Sequence, residues 1–430
     1  MKFLPHWRKR VDMFKPRLFY TLGLWLLLPY VFFHLRWRAR KQPEYLKHIG
    51  ERFGSYVVRS DKPVIWLHTV SVGETRAAAN LVKRLREKYP EHQLLLTHTT
   101  PTGREASEQL YGDDVLRVYL PYDYPFAVRR FLDHFRPRVG VLLETEIWFN
   151  LIHECHAEKI PLLLLNARLS EKSAARYARY PNLVQDGLRE LSAIAAQSSA
   201  DAERLTALGG QAVSVMGNLK FDIEAPEIML ELGRQLRQRF GADRKIFLAA
   251  STREGEEALL LDALDTLQIP GLLTVIVPRH PQRFAEVETL IAKHGLHCQR
   301  RSENTAIAPE TQVLLGDSMG EMFAYYAACD IAYIGGSLLP FGGQNLIEAC
   351  AVGKPVLIGP HTYNFTQACE LAVAGGAAVR VQDATELARA VQSLFSHPEQ
   401  MAGMGEAGKI FVSANRGATE RALTHIRPVG

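Results

Sequence analysis

The sequence predicts an α/β protein with two Rossmann-like domains that face a cleft, preceded by an apolar N-terminal segment. Three observations support this fold class. Short apolar runs alternate with helical stretches over most of the 430 residues. Continuous apolar strands of this kind belong in parallel sheets that are covered on both faces. One irregular, polar stretch at 217–244 interrupts the alternation before it resumes, and a chain of this length is expected to form two domains.

The basic charge is concentrated at the N-terminus. Residues 1–62 carry 14 Lys and Arg against 4 Asp and Glu, whereas the rest of the chain carries 37 against 42. This distribution argues against a nucleic-acid-binding body and for a local anionic partner such as a membrane surface. The five cysteines are scattered and form no CxxC pair, so neither a disulfide framework nor a zinc site is indicated.

The first predicted element is a membrane anchor with basic flanks, spanning residues 1–43. From Leu18 to Leu35 the chain has no Lys, Arg, Asp or Glu. As a helix this segment would be about 27 Å long, close to the roughly 30 Å of a bilayer core, and Pro29 would kink it. Two locations stay open, across the membrane or embedded in it, because both ends are basic. The alternative is a helix packed on the protein's own core. The basic flanks are Lys9, Arg10, Lys15, Arg17, Arg36, Arg38, Arg40 and Lys41.

The first Rossmann-like domain is predicted at 44–222 and an interdomain linker at 223–243. The second domain is predicted at 244–430, with a last helix that packs back on the first domain. The strands of the first domain are predicted at 64–68, 94–99, 115–121, 139–144, 161–166, 193–198 and 213–218, with helical spacing at 75–89, 103–110, 124–135 and 199–208. The strands of the second domain are predicted at 245–251, 272–280, 311–317, 330–337 and 354–360.

Polar residues and glycines follow the strands of the second domain, where ligands of open α/β sheets bind. Glycines let backbone N–H groups approach an anion, and a following helix directs its positive end toward it. These strand ends therefore predict a nucleotide pocket. No GxGxxG, Walker A or DxD pattern is present, which disfavours a dehydrogenase, a P-loop enzyme and a metal held by paired aspartates. The candidate binding residues are Ser251, Arg253, Pro278, Arg279, His280, Gly316, Asp317, Met319, Gly320, Gly336, Ser337, Gly343, Asn345 and Glu348.

The stretch "VIWLHTVSVGETRAAANL" at 64–81 has the form of an anion-binding turn in the first domain. An apolar strand leads into a small glycine-containing loop and then into a helix. The residue after Gly73 is nevertheless Glu74, a carboxylate that would repel an anion. The loop therefore has the form of an anion site but carries a negative charge where an anion would bind.

Six motifs in this order resemble the family of 3-deoxy-D-manno-octulosonic acid (Kdo) transferases, which modify the lipid A precursor in Gram-negative bacteria. The resemblance extends from the apolar segment through most of the second domain. The motifs are "HTVSVGE" (68–74), "ETEIW" (144–148), "GNLKFD" (217–222), "VPRHPQRF" (277–284), "GDSMGEM" (316–322) and "FGGQNLIEA" (341–349).

The resemblance implies an inverting glycosyltransferase of the GT-B fold that uses no metal ion and no cofactor. Its donor would be CMP-Kdo, and its acceptor a lipid A precursor (lipid IVA) at the cytoplasmic side of the bacterial inner membrane. Glu74 matches the family's general base. The second family carboxylate lies in the run "ETE", where Glu144 and Glu146 both qualify and we prefer Glu144. The chain departs from the family pattern at Phe149, where proline is usual, and at Arg253, where histidine is frequent.

Two other functions are compatible with the same features. One is a GT-B enzyme that uses a UDP-sugar, either a transferase or an epimerase. The other is a membrane-attached module that binds a nucleotide without catalysis. Stabilisation by UDP rather than CMP would indicate the first, and CMP binding without any transfer product would indicate the second.

Overall fold

The computed structural model describes residues 7–40 and 42–429, with side chains from Pro16 onward. The predicted basic flank residues Lys9, Arg10 and Lys15 lie before that point, and Lys41 falls in the gap. The chain forms two compact units, Met1–Asp222 with Arg416–Gly430, and Ile223–Asn415.

The first unit contains a seven-stranded parallel sheet of order β3-β2-β1-β4-β5-β6-β7. Successive strands are added on one side of β1 up to β3 and on the other side from β4 onward, so the carboxyl ends of β1 and β4 form the topological switch point where ligands bind in such folds. The strands are β1 Val64–His68, β2 Gln93–His98, β3 Leu116–Tyr119, β4 Pro137–Leu143, β5 Leu162–Ala167, β6 Ala193–Ala196 and β7 Val213–Val215.

The helices of this unit cover both faces of the sheet, and two buried apolar clusters fill the space between them. The fully buried Trp66 belongs to one cluster and the fully buried Leu67 to the other, because successive strand residues point to opposite faces. The helices before the second unit are α1 Trp7–Ala39, α2 Val72–Ala77, α3 Ala79–Lys88, α4 Pro101–Tyr111, α5 Pro125–Phe135, α6 Phe149–Ala157, α7 Glu171–Tyr177, α8 Pro181–Glu190 and α9 Ser199–Ala207.

Helix α1 lies along the first unit with one face and leaves the other face exposed. Tyr20 donates a hydrogen bond to Asp123 at 2.8 Å, and the ring of Phe32 stacks on Phe53 at 5.4 Å. The helix continues through Pro29, and its Pro16–Ala39 portion is apolar and long enough to cross a membrane. Its exposed large apolar residues are Leu18, Phe19, Leu22, Trp25, Leu26, Leu27, Tyr30, Phe32, Phe33 and Trp37.

The second unit contains another seven-stranded parallel sheet, of order β10-β11-β9-β8-β12-β13-β14. Its switch point lies between β8 and β12. The strands are β8 Ile246–Thr252, β9 Leu273–Pro278, β10 Cys298–Arg300, β11 Val313–Leu315, β12 Ile331–Ile334, β13 Val356–Ile358 and β14 Ala378–Arg380. The helices are α10 Glu227–Phe240, α11 Glu256–Leu264, α12 Phe284–Lys293, α13 Met322–Ala328, α14 Ile347–Ala351, α15 Thr366–Ala374, α16 Ala384–Ser396 and α17 Pro398–Asn415.

Two segments at the domain boundaries belong to compact structure. The predicted linker contains α10, whose Arg237 forms an ion pair with Asp330 of the second unit at 3.0 Å. The last helix, α18 Ala418–His425, belongs to the first unit. Its first turn is held by Asp222, which accepts a hydrogen bond from the backbone N–H of Gly417 at 2.7 Å. The chain therefore enters and leaves the second unit at neighbouring points of the first.

Candidate active site

The carboxyl ends of β1 and β4 bring two sequence-predicted carboxylates to the switch point of the first unit. Strand β1 ends at His68, and α2 begins at Val72 with Ser71 as its N-cap. Strand β4 ends one residue before Glu144, which adopts the left-handed conformation with a φ of 62°. A residue with a side chain rarely adopts this conformation without a local constraint, and such constraints are frequent at functional sites.

Glu74 closes the first turn of α2 through a reciprocal cap. Its Oε2 accepts a hydrogen bond from the backbone N–H of Val70 at 2.8 Å, and its Oε1 accepts one from the Ser71 hydroxyl at 2.9 Å. The backbone N–H of Glu74 in turn donates to Ser71 Oγ at 3.3 Å. Reciprocal bonds of this type follow from a Ser-x-x-Glu sequence at a helix start, and they fix the orientation of the carboxyl group.

The Glu74 carboxyl group is poised to exchange a proton near neutral pH. Its side chain is buried, and this burial raises its pKa to about 7. The hydrogen bond from Val70 opposes the rise, the negative charge of Glu144 adds to it, and Ser71 and His68 lower the pKa again. A carboxyl group with a pKa close to the working pH is suited to general acid–base catalysis.

The "ETE" run places its two carboxylates in different surroundings. Glu144 Oε1 lies 3.5 Å from the Nζ of Lys220, and Glu144 is the carboxylate that raises the pKa of Glu74. Glu146 instead accepts a hydrogen bond from the indole N–H of Trp148 at 2.7 Å and lies 3.7 Å from His68 Nε2. Glu144, the residue preferred from the sequence, is therefore the carboxylate of this run whose charge acts on Glu74.

In the second unit, the ends of β8 and β12 form one connected structure around a buried glutamate. Glu256, in the first turn of α11, accepts hydrogen bonds from the backbone N–H groups of Arg253 (2.9 Å), Gly336 (2.6 Å) and Leu338 (3.0 Å) and from the Tyr333 hydroxyl (2.7 Å). Its side chain is fully buried. Glu256 thus holds the glycine turn after β12 against the end of β8, at the switch point of this sheet.

The same turn depends on glycines for close approach. A Cβ at Gly335 would lie 2.5 Å from the carbonyl oxygen of Ser251, and Ser251 itself has a φ of 57°. Gly336 has a φ of 69°, and its carbonyl accepts a hydrogen bond from the N–H of Gly343 at 2.6 Å. Side chains at these positions would force the two loops apart.

Three basic residues predicted for this pocket lie near one another. The guanidinium of Arg253 stacks over the Phe341 ring at 4.3 Å. The backbone N–H of Arg279 donates to the carbonyl of Thr252 at 3.0 Å. Burial lowers the pKa of His280, and the charges of Arg253 and Arg279 lower it further. This clustering of positive charge is suited to an anionic ligand.

The other predicted binding residues divide between this pocket and supporting positions. Asn345 lies just before α14 and Glu348 lies in its first turn. The side-chain amide of Asn345 donates a hydrogen bond to the Glu348 carboxylate at 3.1 Å. The Ser337 hydroxyl is fully buried, donates to the carbonyl of Ile334 and accepts from the N–H of Gly359, so it shapes the loop. Pro278 is buried at the end of β9.

The loop at 316–320 forms its own set of contacts after β11, two strands away from β8. Asp317 accepts hydrogen bonds from the N–H of Ser302 at 2.8 Å and from its hydroxyl at 2.6 Å. Gly316 is buried, whereas Met319 and Gly320 are exposed. Asp317 therefore secures a neighbouring turn, and the exposed part of the loop is Met319 with Gly320.

Two site residues were not assigned a role by sequence reasoning. Lys220 lies within a recognised motif, and its pairing with Glu144 depends on two segments far apart in sequence. Glu256 had a local indication, since it occupies the first helical turn four residues after the end of a strand. Among residues 7–40 and 42–429, no group of three or more His, Cys, Asp or Glu is arranged to hold a metal ion.

Two family models together match most of the chain. The model described as 3-deoxy-D-manno-octulosonic-acid transferase (kdotransferase) matches residues 47–223, and the model described as glycosyl transferases group 1 matches residues 246–411. Each match covers one of the two parallel sheets. The first therefore includes Glu74 and both carboxylates of the "ETE" run, and the second includes the glycine turns.

Curated relatives match over nearly their full length. The chain is 42% identical over 420 residues to a 3-deoxy-D-manno-octulosonic acid transferase of Bordetella pertussis, covering 94% of this chain and 97% of that protein. It is 38% identical over 419 residues to the protein of the same name from Haemophilus influenzae, covering 96% and 98%. A solved structure of Anabaena Alr3699/HepE in complex with UDP-glucose has a TM-score of 0.55 at 17% identity, covering 84% of this chain and 100% of that one. This last similarity concerns the fold alone.

Proposed function

Because the chain belongs to the 3-deoxy-D-manno-octulosonic acid (Kdo) transferase family and is a glycosyltransferase of GT-B fold, we propose that it transfers Kdo from CMP-Kdo to a lipid A precursor. The proposed acceptor is the glucosamine disaccharide of lipid IVA. The reaction is proposed to invert the configuration at the anomeric carbon and to require neither a metal ion nor another cofactor.

The observation that carries this proposal is the buried Glu74 carboxyl group, fixed by two hydrogen bonds at the carboxyl edge of the first sheet and acted on by the charge of Glu144. An acceptor hydroxyl loses its proton to Glu74 as its oxygen forms a bond to the anomeric carbon of the donor. The bond from that carbon to the CMP phosphate oxygen breaks, and the electron pair leaves with CMP. One displacement inverts the configuration, and a positioned carboxylate is typically worth about 10²–10⁴-fold in rate.

Glu144 has a supporting role in this proposal. Its charge raises the pKa of Glu74 toward the working pH, which makes Glu74 a stronger base. Lys220 lies 3.5 Å from Glu144 and balances that charge. The Val70 and Ser71 hydrogen bonds hold the Glu74 carboxyl group in one orientation, so little reorganisation is needed when the proton moves.

The second unit supplies the proposed donor site. The leaving group carries a single phosphate. Arg253 and Arg279 offer positive charge to stabilise it, and the His280 ring beside them can donate a hydrogen bond. Glu256 holds the glycine turn at the same edge of the sheet through the N–H groups of Gly336 and Leu338. Asn345 and Glu348 are proposed to bind hydroxyl groups of the nucleotide.

The proposed location is the cytoplasmic face of the bacterial inner membrane, with α1 embedded rather than spanning. The contacts of Tyr20 with Asp123 and of Phe32 with Phe53 are twelve residues apart, about 18 Å along a helix. A helix attached to a folded body over that length would pull the body into the bilayer if it crossed. The exposed apolar face of α1, including Leu26 at 83% exposure, is suited to lying in the interface.

A reconstituted reaction tests the proposal. Purified full-length protein is incubated with CMP-Kdo and tetra-acylated lipid A precursor, and the added sugars are counted by mass. Transfer of at least one Kdo that persists in chelator is expected, and loss of activity in chelator with recovery on adding a divalent ion would refute metal independence. Thermal stabilisation by UDP but not by CMP would favour a UDP-sugar enzyme. CMP binding without product from any CMP-activated sugar would favour a non-catalytic module.

A further inference from the structure

A cavity of about 330 Å³ in the first unit connects the end of α1 with the carboxylate side of the site. Its lining includes two arginines, Arg38 from the last turn of α1 and Arg52. It also includes Val70, whose N–H binds Glu74, together with Glu146 and Trp148. The volume is in the range of small-molecule sites.

Arg52 is a buried cation without a carboxylate partner. Its side chain is 3% exposed, its Nη2 donates to the carbonyl of Thr99 at 3.0 Å, and its guanidinium stacks over Tyr119 at 4.1 Å. In the described part of the chain, its buried Nε has no hydrogen-bond partner and no carboxylate lies within 4.0 Å of it. The adjacent Glu51 is paired instead with Arg104 at 2.8 Å. A buried charge of this kind is costly unless an anion pairs with it.

Arg38 supplies a second cation to the lining of the same cavity. It is exposed, donates to the Tyr45 hydroxyl at 3.3 Å and stacks over that ring at 5.1 Å. No carboxylate within the described residues lies within 4.0 Å of its guanidinium either. Two arginines without acidic partners that line one cavity are suited to bidentate contact with a phosphate group.

We propose that this cavity binds the phosphorylated saccharide headgroup of the acceptor lipid, with a phosphate at Arg38 and Arg52 and the attacked hydroxyl at the Glu74 end. This inference rests on the proposed function and assigns residues to its acceptor. The first unit thus brings together an exposed apolar face on α1, two arginines that line the cavity and, through Val70, the Glu74 carboxyl group. These features match the acyl chains, the phosphate and the attacked hydroxyl of a phosphorylated glycolipid.

The test compares two arginines of α1 that carry the same charge. Arg38→Ala removes a lining residue, whereas Arg36→Ala removes an equally exposed arginine that does not line the cavity. Because Arg52 is buried and its loss risks misfolding, the test depends on Arg38. Kinetics with the full-length protein use tetra-acylated lipid A precursor in mixed micelles, with its phosphates present or removed, and with CMP-Kdo varied separately.

Arg38→Ala should raise the KM for the phosphorylated acceptor by about 10- to 100-fold, the effect of losing a charge-assisted hydrogen bond. The KM for CMP-Kdo should stay unchanged, and so should the KM for the dephosphorylated acceptor. Arg36→Ala should change none of the three by more than about twofold. Equal effects of both substitutions, or an equal effect of Arg38→Ala on both acceptors, would overturn the assignment and indicate general attraction to the micelle surface.

A binding measurement separates failure of this assignment from failure of the proposed function. Affinity of the wild-type protein and the two variants for the phosphorylated acceptor is measured without donor. Weaker binding by Arg38→Ala alone supports the cavity even if no Kdo is transferred. Normal transfer by the wild type with equal binding by all three proteins refutes the cavity while the proposed function stands.

Discussion

Replacing Glu74 by glutamine should abolish transfer and at the same time stabilise the protein at alkaline pH. The substitution keeps the size of the side chain, and both of its capping contacts are retained in principle. The amide oxygen accepts from the Val70 N–H, as Oε2 does now at 2.8 Å, and the amide NH₂ donates to the Ser71 hydroxyl. What is lost is the ability to take a proton and to carry a negative charge in a buried position.

The size of the stabilisation follows from the two pKa values. The pKa of Glu74 is about 7 in the folded protein, against an ordinary value of 4.5. Between these two values the unfolded chain has already lost its proton while the folded protein keeps it, so the free energy of unfolding falls as the pH rises. At 1.36 kcal/mol per pKa unit the loss is about 3 kcal/mol, complete above pH 7. Glutamine carries no charge and does not suffer this loss.

The assay is chemical denaturation of wild type and Glu74→Gln in the same detergent at pH 5 and pH 8. The variant should gain up to about 3 kcal/mol relative to wild type between the two pH values. Glu203→Gln is the matched control, because Glu203 is exposed in the same unit and its neutralisation should leave the pH dependence unchanged. Transfer from CMP-Kdo is measured on the same preparations.

Two results would refute the reasoning separately. A stability difference between wild type and Glu74→Gln that is the same at pH 5 and pH 8 would mean that burial does not raise the pKa of Glu74. Normal transfer by Glu74→Gln would remove Glu74 as the general base, whatever its stability. If Glu74→Gln loses activity and gains the predicted stability at pH 8, then the buried, reactive carboxyl group of Glu74 destabilises the first unit in the wild-type protein.

Glu256→Gln should weaken donor binding and lower stability by about 1–3 kcal/mol, because the glutamine NH₂ would face backbone N–H donors; the KM for CMP-Kdo and thermal unfolding measure both effects. In wild type, kcat/KM should rise with pH up to about 7 as Glu74 loses its proton. Glu144→Gln should move this rise to lower pH in the same pH–rate profile, because Glu144 raises the pKa of Glu74. Leu26→Glu should reduce membrane partition in a vesicle sedimentation assay by at least about 10-fold, the worth of one buried leucine.

Two of these variants have a control in the same unit. Glu310→Gln changes an exposed carboxylate of the second unit and should leave donor KM and unfolding as in wild type; equal behaviour of Glu256→Gln would contradict its role in the glycine turn. A pH profile that stays in place in Glu144→Gln would contradict the coupling of the two carboxylates. Val57→Glu, at a residue 95% exposed outside α1, should still sediment with vesicles, and equal loss by both variants would contradict an apolar face on α1.

The alternation of apolar runs predicted the type and position of the strands because parallel strands are buried on both faces. All twelve predicted strands are present. The two that were missed, β10 and β14, have three residues each and include Arg300 and Arg380, so they lack the apolar run that marks an inner strand. The helix predicted at 75–89 is divided at Ala78 into α2 and α3, a break that composition alone does not indicate.

The site was predictable where chemistry follows a strand directly and unpredictable where it depends on distant segments. Glu74 and the glycine turns are in the first group. The partners of Asp317 belong to the second, since Ser302 lies on another turn. Arg52 belongs there as well, because its lack of an acidic partner follows from how its neighbours fold. A motif identifies which residues to consider, and only packing decides which of them are buried, paired or open to a ligand.

The contacts of α1 also change how membrane attachment should be tested. Deletion of residues 1–41 is the obvious experiment, and an anchor that merely trails from the body would tolerate it. Here the deletion would also remove the Tyr20 hydroxyl from buried Asp123 and uncover the ring of Phe149, on which Tyr20 packs edge-to-face at 5.2 Å. The truncated protein would then both leave the membrane and lose stability. Its release could therefore not be assigned to loss of the membrane-binding surface rather than to unfolding. A single charge at Leu26 on the exposed face leaves these contacts in place, so loss of membrane binding by Leu26→Glu with unchanged unfolding would isolate the attachment surface from the fold.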